Sequence, residues 1–382
     1  MTSVMFYIVG VADFQDMMPA IMECGHRGIK FRVCIFDCLA KKRQLYYYDP
    51  HELVNFVKDA LQKNDISKTD VRFYGQKDQA SFESDFSLFD PSHVFIQNAR
   101  HRFPMWYPTA GAAKVIHFAW HMDSAVAISR GNYNVHLNVL KREMDEIYYG
   151  KNIPSWLNLD RKDKEKVQSV KSMYFGNFRV EHLKYKPLFK TVNLNDLKGK
   201  KVCFVSEAHL KQGKDNYKEV IAFVEEFLHF MHENGYYVVW KKREKGYPKE
   251  KWASPLDFCS KKPDMIIDKD LNFPSAISYI PSIAQTCFVI NTSSAYWDIK
   301  KINPNTAMLQ TKNPGPREEK YINLVYSKGD PNASFDLLNM QNENKFQVLS
   351  RWLDREKMIN EGYIKDQSPS KLLFEFLEQE SK

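Results

Sequence analysis

Residues 289–298 read VINTSSAYWD, and the rest of the chain is best read outward from them. An apolar run, Phe288-Val289-Ile290, stops abruptly at Asn291-Thr292-Ser293-Ser294, and helical pattern resumes at Ala295-Tyr296-Trp297-Asp298. A strand passing through a short polar turn into a helix is the repeating unit of an open parallel sheet, where ligands gather at the carboxyl ends of the strands. The start of the helix offers unpaired N–H groups and the positive end of its dipole to a phosphate. Ser293 and Ser294 add hydroxyl donors without bulk. The same residues equally make an ordinary capped helix, because Ser and Thr are favoured at that position in any case.

The alternation continues on both sides. Upstream, strands are expected at 201–205, 236–240 and 265–267, with helices at 217–234 and 275–284; a further strand follows at 307–310. The long helix carries Val220, Phe223, Phe227 and Phe230 on one face and ends at Gly235. The first half repeats the pattern, with strands at 4–9, 31–36, 71–74, 93–97 and 114–119 and helices at 13–23, closed by Gly25, and at 50–62. Such alternation predicts parallel strands joined by right-handed crossovers. Residues 126–170 turn helical and charged, RKDKEK at 161–166 reads as solvated, and a short strand is expected at 172–175. The break near 180–198 divides the chain into domains 1–185 and 186–382, the second including closing helices at 346–356 and 370–380.

Composition agrees with two globular cores. The chain has 382 residues, 43% hydrophobic and 27% charged, more than one ordinary domain needs. The net charge of +8 suits a phosphate-bearing ligand, an anionic membrane face or simply a lysine-rich surface. No basic tract or RNA-binding motif points to nucleic acid, so none is expected as a partner. The six cysteines form no CxxC pair, and Cys34 and Cys203 fall inside apolar strands, which is reduced usage. The opening MTSVMFYIVGVADF lacks a basic leader and reads as a first strand. A cytoplasmic location is therefore expected, and the basic balance is compatible with peripheral membrane contact.

Further candidates lie at other strand ends. The run 114–121, KVIHFAWH, delivers His121 beside Asp123. Histidine titrates near operating pH and suits a general base on an acceptor hydroxyl, with Asp123 orienting it; a structural histidine bonded to backbone has the same pattern. Residues 240–244, WKKRE, bring Lys241, Lys242 and Arg243 to one place, able to hold a diphosphate or to form a solvated loop. Arg100 and Arg102 follow another strand and are candidates for an anionic acceptor. Gly176 permits a tight turn ahead of Arg179. Asp268-Lys-Asp270 reads as a charged turn, and no zinc-type cluster occurs.

Taken in order, these sites resemble the GT-B glycosyltransferase architecture, and in particular the CDP-glycerol glycerophosphotransferases and their polysaccharide-building relatives. That family has a strand ending Trp-His-Gly; here Trp120-His121 is followed by Met122. Its Gly-x-Pro-Arg-x-Asp turn is similar to GNFRVE at 176–181, which keeps Gly176 and Arg179 and substitutes Phe178 and Glu181. Its Lys-x-His-Pro becomes Lys241-Lys242-Arg243-Glu244, with Arg243 in place of the histidine. Its Thr-Asp-Tyr-Ser-Ser, followed by an Asp, becomes Ile290–Ser294 (INTSS) with Asp298.

The resemblance implies two Rossmann-like domains facing a central cleft whose closure excludes water. The first would bind the acceptor, with His121 as base. The second would bind the nucleotide-sugar donor through Lys241, Arg243, Thr292, Ser293, Ser294 and Asp298, with Gly176 and Arg179 of the turn between the domains also donor-binding. No metal or other cofactor is implied, since basic groups and a helix dipole stabilise the leaving diphosphate. The expected activity is glycosyl transfer from a UDP-, GDP- or CDP-linked sugar to a hydroxyl of a glycan or related polymer. Its rivals are transfer of a polyol phosphate from a CDP-polyol, sugar-nucleotide epimerisation on the same fold, and a non-catalytic glycan-binding or scaffold role.

Overall fold

The computed structural model describes residues 2–37, 50–66, 70–97, 113–119, 135–138, 160–162, 165, 171–175, 178–187, 192–207, 217–242, 254–267, 273–291, 295–311, 337–340, 344–354 and 368–380. The chain divides into two compact units, 1–188 with 367–382, and 189–366.

The first unit is built on seven parallel strands in the order β3-β2-β1-β4-β5-β6-β7. These are β1 (Ser3–Ile8), β2 (Lys30–Phe36), β3 (Asp70–Tyr74), β4 (His93–Ile96), β5 (Lys114–Ala119), β6 (Val135–Asn138) and β7 (Lys171–Tyr174). Helices α1 (Val11–His26), α2 (Pro50–Lys63) and α3 (Gln79–Phe89) connect the early strands. β1 is buried along its whole length, as a strand covered by helices on both faces must be. Tyr7, Phe36, Tyr74 and Phe82 pack edge to face on one side of the sheet.

The second unit repeats the plan. Its strands are β8 (Val202–Glu207), β9 (Tyr237–Lys241), β10 (Met265–Ile267), β11 (Thr286–Ile290), β12 (Thr306–Gln310) and β13 (Leu337–Asn339). They run parallel in the order β10-β9-β8-β11-β12-β13. Helices α4 (Tyr217–Glu233), α5 (Phe273–Ile283), α6 (Ala295–Ile302) and α7 (Lys345–Asp354) belong to this unit. Val220, Phe223 and Phe227 of α4 pack on Trp240, Phe288 and Ile290, which confirms the apolar face expected of that helix. Gly235 takes φ 72° just past α4, a conformation that favours glycine.

Four expectations change. The stretch 126–170 contains a strand, β6, paired in parallel with β5 and β7; four residues are too few to show a period of two. α3 was not anticipated, because its buried residues Phe82 and Phe89 stand two turns apart among polar neighbours. Gly25 lies within α1, which runs on to His26; a Cβ on Gly25 would come within 2.7 Å of Ile66, so the glycine is there for close packing. The final helix, α8 (Pro369–Glu380), belongs to the first unit and not, as expected, to the second. Glu181 accepts a hydrogen bond from the Ser370 N–H at 2.9 Å at the start of that helix, and Arg27 on α1 pairs with Glu378 at 3.1 Å.

Candidate functional site

Strand order reverses direction between β1 and β4 in the first unit and between β8 and β11 in the second. At such a reversal the neighbouring helices leave to opposite faces and open a crevice at the carboxyl ends of the strands.

In the second unit the crevice lies between Glu207 and Asn291. Glu207 ends β8 opposite Ile290, and Asn291 follows directly. Lys241 ends β9 beside Ser206. Lys241 and Asn291 are two strand spacings apart across the sheet and offset by two residues along it, about 12 Å, within reach of a diphosphate and a lysine side chain. Lys241 is 4% exposed, an unusual setting for a lysine, with Nζ 3.5 Å from the Lys242 carbonyl oxygen. Its neighbour Lys242 is committed elsewhere, donating to Asp257 at 2.6 Å. The three-cation cluster read from WKKRE thus separates into a buried lysine, a paired lysine and Arg243, which lies outside the described residues.

Asn291 adopts φ 57°, a left-handed conformation that Asn tolerates better than most side chains. Its Oδ1 accepts from both the N–H and the hydroxyl of Thr311 at the end of β12, each at 2.9 Å. α6 begins four residues later at Ala295, so the strand–turn–helix reading of VINTSSAYWD holds. Asp298 sits in the first turn of α6 and is buried, where a carboxylate is favoured by the helix dipole. Thr292, Ser293 and Ser294 lie outside the described residues.

Glu207 was missed in the sequence. Its Oε2 accepts from Trp240 Nε1 at 3.0 Å and from Ser254 Oγ at 2.6 Å. Burial pushes its carboxyl up to about 7, against the opposing pull of those two donors. A Glu closing the otherwise apolar run VCFVSE was the available signal.

The first unit also has a polar crevice edge. Asp13 accepts from the Val9 N–H at 2.9 Å, and Gln97 at the end of β4 donates to Asp16. Asp13, Asp16, Gln97 and His117 are all buried. Burial lowers His117 to about 4, outweighing its bond to the Gln97 backbone, so it is neutral near pH 7. His121, Asp123, Arg100, Arg102 and Gly176 lie outside the described residues. Arg179 falls in the 3-10 turn Phe178–Lys184, and its side chain is likewise outside them. Of the expected donor set the described residues place Lys241 at the end of β9 and Asp298 in the first turn of α6, and they add Asn291 and Glu207 at the ends of β11 and β8. Among them no His, Cys, Asp and Glu group suited to a metal ion occurs, and no helix is long and apolar enough to cross a membrane.

No family model matches the chain, and no curated protein matches it. Solved structures do. A UDP-N-acetylglucosamine 2-epimerase superposes with a TM-score of 0.56 at 11% identity, over 100% of this chain and 97% of the other. The S. aureus protein MnaA, solved with UDP, gives 0.55 at 12%, over 99% and 96%. The Neisseria meningitidis UDP-GlcNAc 2-epimerase bound to UDP-GlcNAc gives 0.53 at 13%, over 99% and 100%. At these identities the likeness is one of fold: two Rossmann-like units with parallel sheets, as in the GT-B architecture.

Proposed function

We propose that this chain is an enzyme of nucleotide-sugar chemistry whose second unit holds the nucleoside diphosphate. The observation that carries this is the crevice edge at the β8/β11 reversal, where buried Lys241 ends β9 and α6 starts after β11, the two strands flanking β8. A buried ammonium and a helix N-terminus are complementary to a diphosphate and to the charge that develops when it leaves. Arg243, Ser293 and Ser294 complete the anion site in this reading, with Thr292 and Asp298 beside them, and no metal is required.

Epimerisation of the sugar is placed ahead of glycosyl transfer, because whole-length structural neighbours are UDP-GlcNAc 2-epimerases. His121 with Asp123 serves as the acid–base pair, moving a proton at a sugar carbon. In the second reading, transfer to a glycan or polymer hydroxyl in the cytoplasm, the same His121 accepts the hydroxyl proton, and Arg100 and Arg102 hold the acceptor. The ordered motifs shared with the polymer-building transferases favour that reading. Transfer of a polyol phosphate is its CDP-dependent variant.

The test is incubation with UDP-N-acetylhexosamine in D2O, without acceptor, followed by NMR, alongside thermal shifts with UDP, GDP and CDP. A second UDP-sugar carrying deuterium at the inverted carbon supports the epimerase. Consumption only when a glycan acceptor is added supports transfer, and stabilisation by CDP alone supports the polyol-phosphate variant. No stabilisation by any nucleotide rejects all three and leaves the non-catalytic role.

A further inference from the structure

One buried donor in the second unit's crevice has no partner among the described residues. Asn291 is 2% exposed, and its Nδ2 makes no hydrogen bond. The orientation of the amide is set chemically. Thr311 presents two donors to it, an N–H and a hydroxyl, so the atom facing Thr311 has to be the oxygen. Thr311 follows β12, and β8 is the neighbour on the opposite side of β11. The N–H2 is therefore the atom turned away from the two Thr311 donors. A buried donor without an acceptor is costly, and each such group calls for an occupant.

The residue type points to what that occupant is. Thr311 would be served equally well by a carboxylate. With Asp, the leftover atom is a second acceptor bearing negative charge. With Asn291 it is a pair of donors, four residues before the N-terminus of α6 and across the crevice from Lys241. Donors, a cation and a helix dipole together suit an anionic, acceptor-rich group.

We propose that the Asn291 side-chain amide is a direct ligand of the nucleotide's diphosphate, donating from Nδ2 to a phosphoryl oxygen. This rests on the nucleotide reading above. It makes Asn291 a determinant of affinity for the phosphorylated part of the ligand and not for the nucleoside.

The test uses the full chain and calorimetric titration with UDP and with uridine. Asn291→Asp keeps both Thr311 bonds and replaces the free donor with a charged acceptor. UDP affinity of the folded variant is expected to fall by roughly ten- to a hundredfold, with uridine affinity unchanged. Asn291→Gly, which tolerates φ 57° and removes the donor without adding charge, is expected to lose about tenfold for UDP. Wild-type affinity for UDP in either folded variant, or an equal loss for uridine, overturns the assignment. If the wild-type chain binds none of UDP, GDP and CDP, the nucleotide reading fails and this assignment falls with it; binding by the wild type with unaffected variants defeats this assignment alone.

Discussion

Glu207 at the end of β8 and Trp240 on β9 share a buried hydrogen bond, indole Nε1 to carboxyl Oε2, at 3.0 Å. Ser254 donates to the same oxygen, so one side of the carboxyl is anchored on two separate elements. Burial raises this group from an ordinary 4.5 to about 7. The folded state thus holds a proton that the unfolded chain has released, over the window between those values. Stability from this group is fully present below about 4.5, is lost as pH rises through about 7, and changes no further above it. Glu207→Gln keeps acceptance from Trp240 and Ser254 without the charge. Melting temperatures from pH 4.5 to 8 should show the variant gaining on the wild type up to about 7 and then holding level. The gain corresponds to roughly 3 kcal/mol at most; parallel curves would refute the assignment.

Lys241 pairs burial with a position at the crevice edge. Lys241→Met keeps the apolar stem and removes the cation. UDP affinity should drop on the order of tenfold or more, and its dependence on salt should weaken. Titration calorimetry at low and high salt separates these effects. A variant that binds UDP normally at low salt removes Lys241 from the site.

Glu181 ties the last helix to the first unit. One carboxyl oxygen accepts from Ser370 N–H at 2.9 Å and the other from Lys184 Nζ at 2.8 Å and from Ser368 Oγ. Glu181→Ala should destabilise the protein by about 1–3 kcal/mol, the range for a lost cap and stranded partners. Hydrogen exchange should rise first at 369–380. If exchange there is unchanged, α8 is held by Leu373, Phe374 and Leu377 alone, all of which are buried.

Gly25→Ala puts a methyl within 2.7 Å of Ile66. The expected cost is about 1–3 kcal/mol, despite alanine's better helix propensity. Ile66→Val in the same chain should recover part of it in a denaturant titration. A stabilised single variant would show that the α1–Ile66 contact yields freely.

How much was legible follows from which residues carried a period. α4 was readable from Val220, Phe223 and Phe227, whose spacing is long enough to show a period of 3.6, and β11 from a short apolar run bounded by polar residues. β6, four residues long, was not. Glu207 was invisible as a site because its partner Trp240 comes from a different strand, brought alongside only by sheet pairing. Glu181 read as a departure from the Gly-x-Pro-Arg-x-Asp turn; it meets a helix start 189 residues away. Asn291 stood in plain view at the turn, but its free donor became apparent only once Thr311 was seen to occupy the oxygen.

Sequence by itself determined the succession of strands and helices, because alternation and periodicity are local and survive reading one residue after another. It also placed the strand-to-helix turn at VINTSSAYWD, since polar residues end a buried strand wherever it emerges. Tertiary structure alone decided that both sheets share one strand order with its reversal, that the last helix returns to the first unit, and which polar atoms stay unmatched in the crevice. Those are outcomes of pairing between residues tens to hundreds of positions apart. A sequence records each donor and acceptor; only the folded chain shows which of them have met.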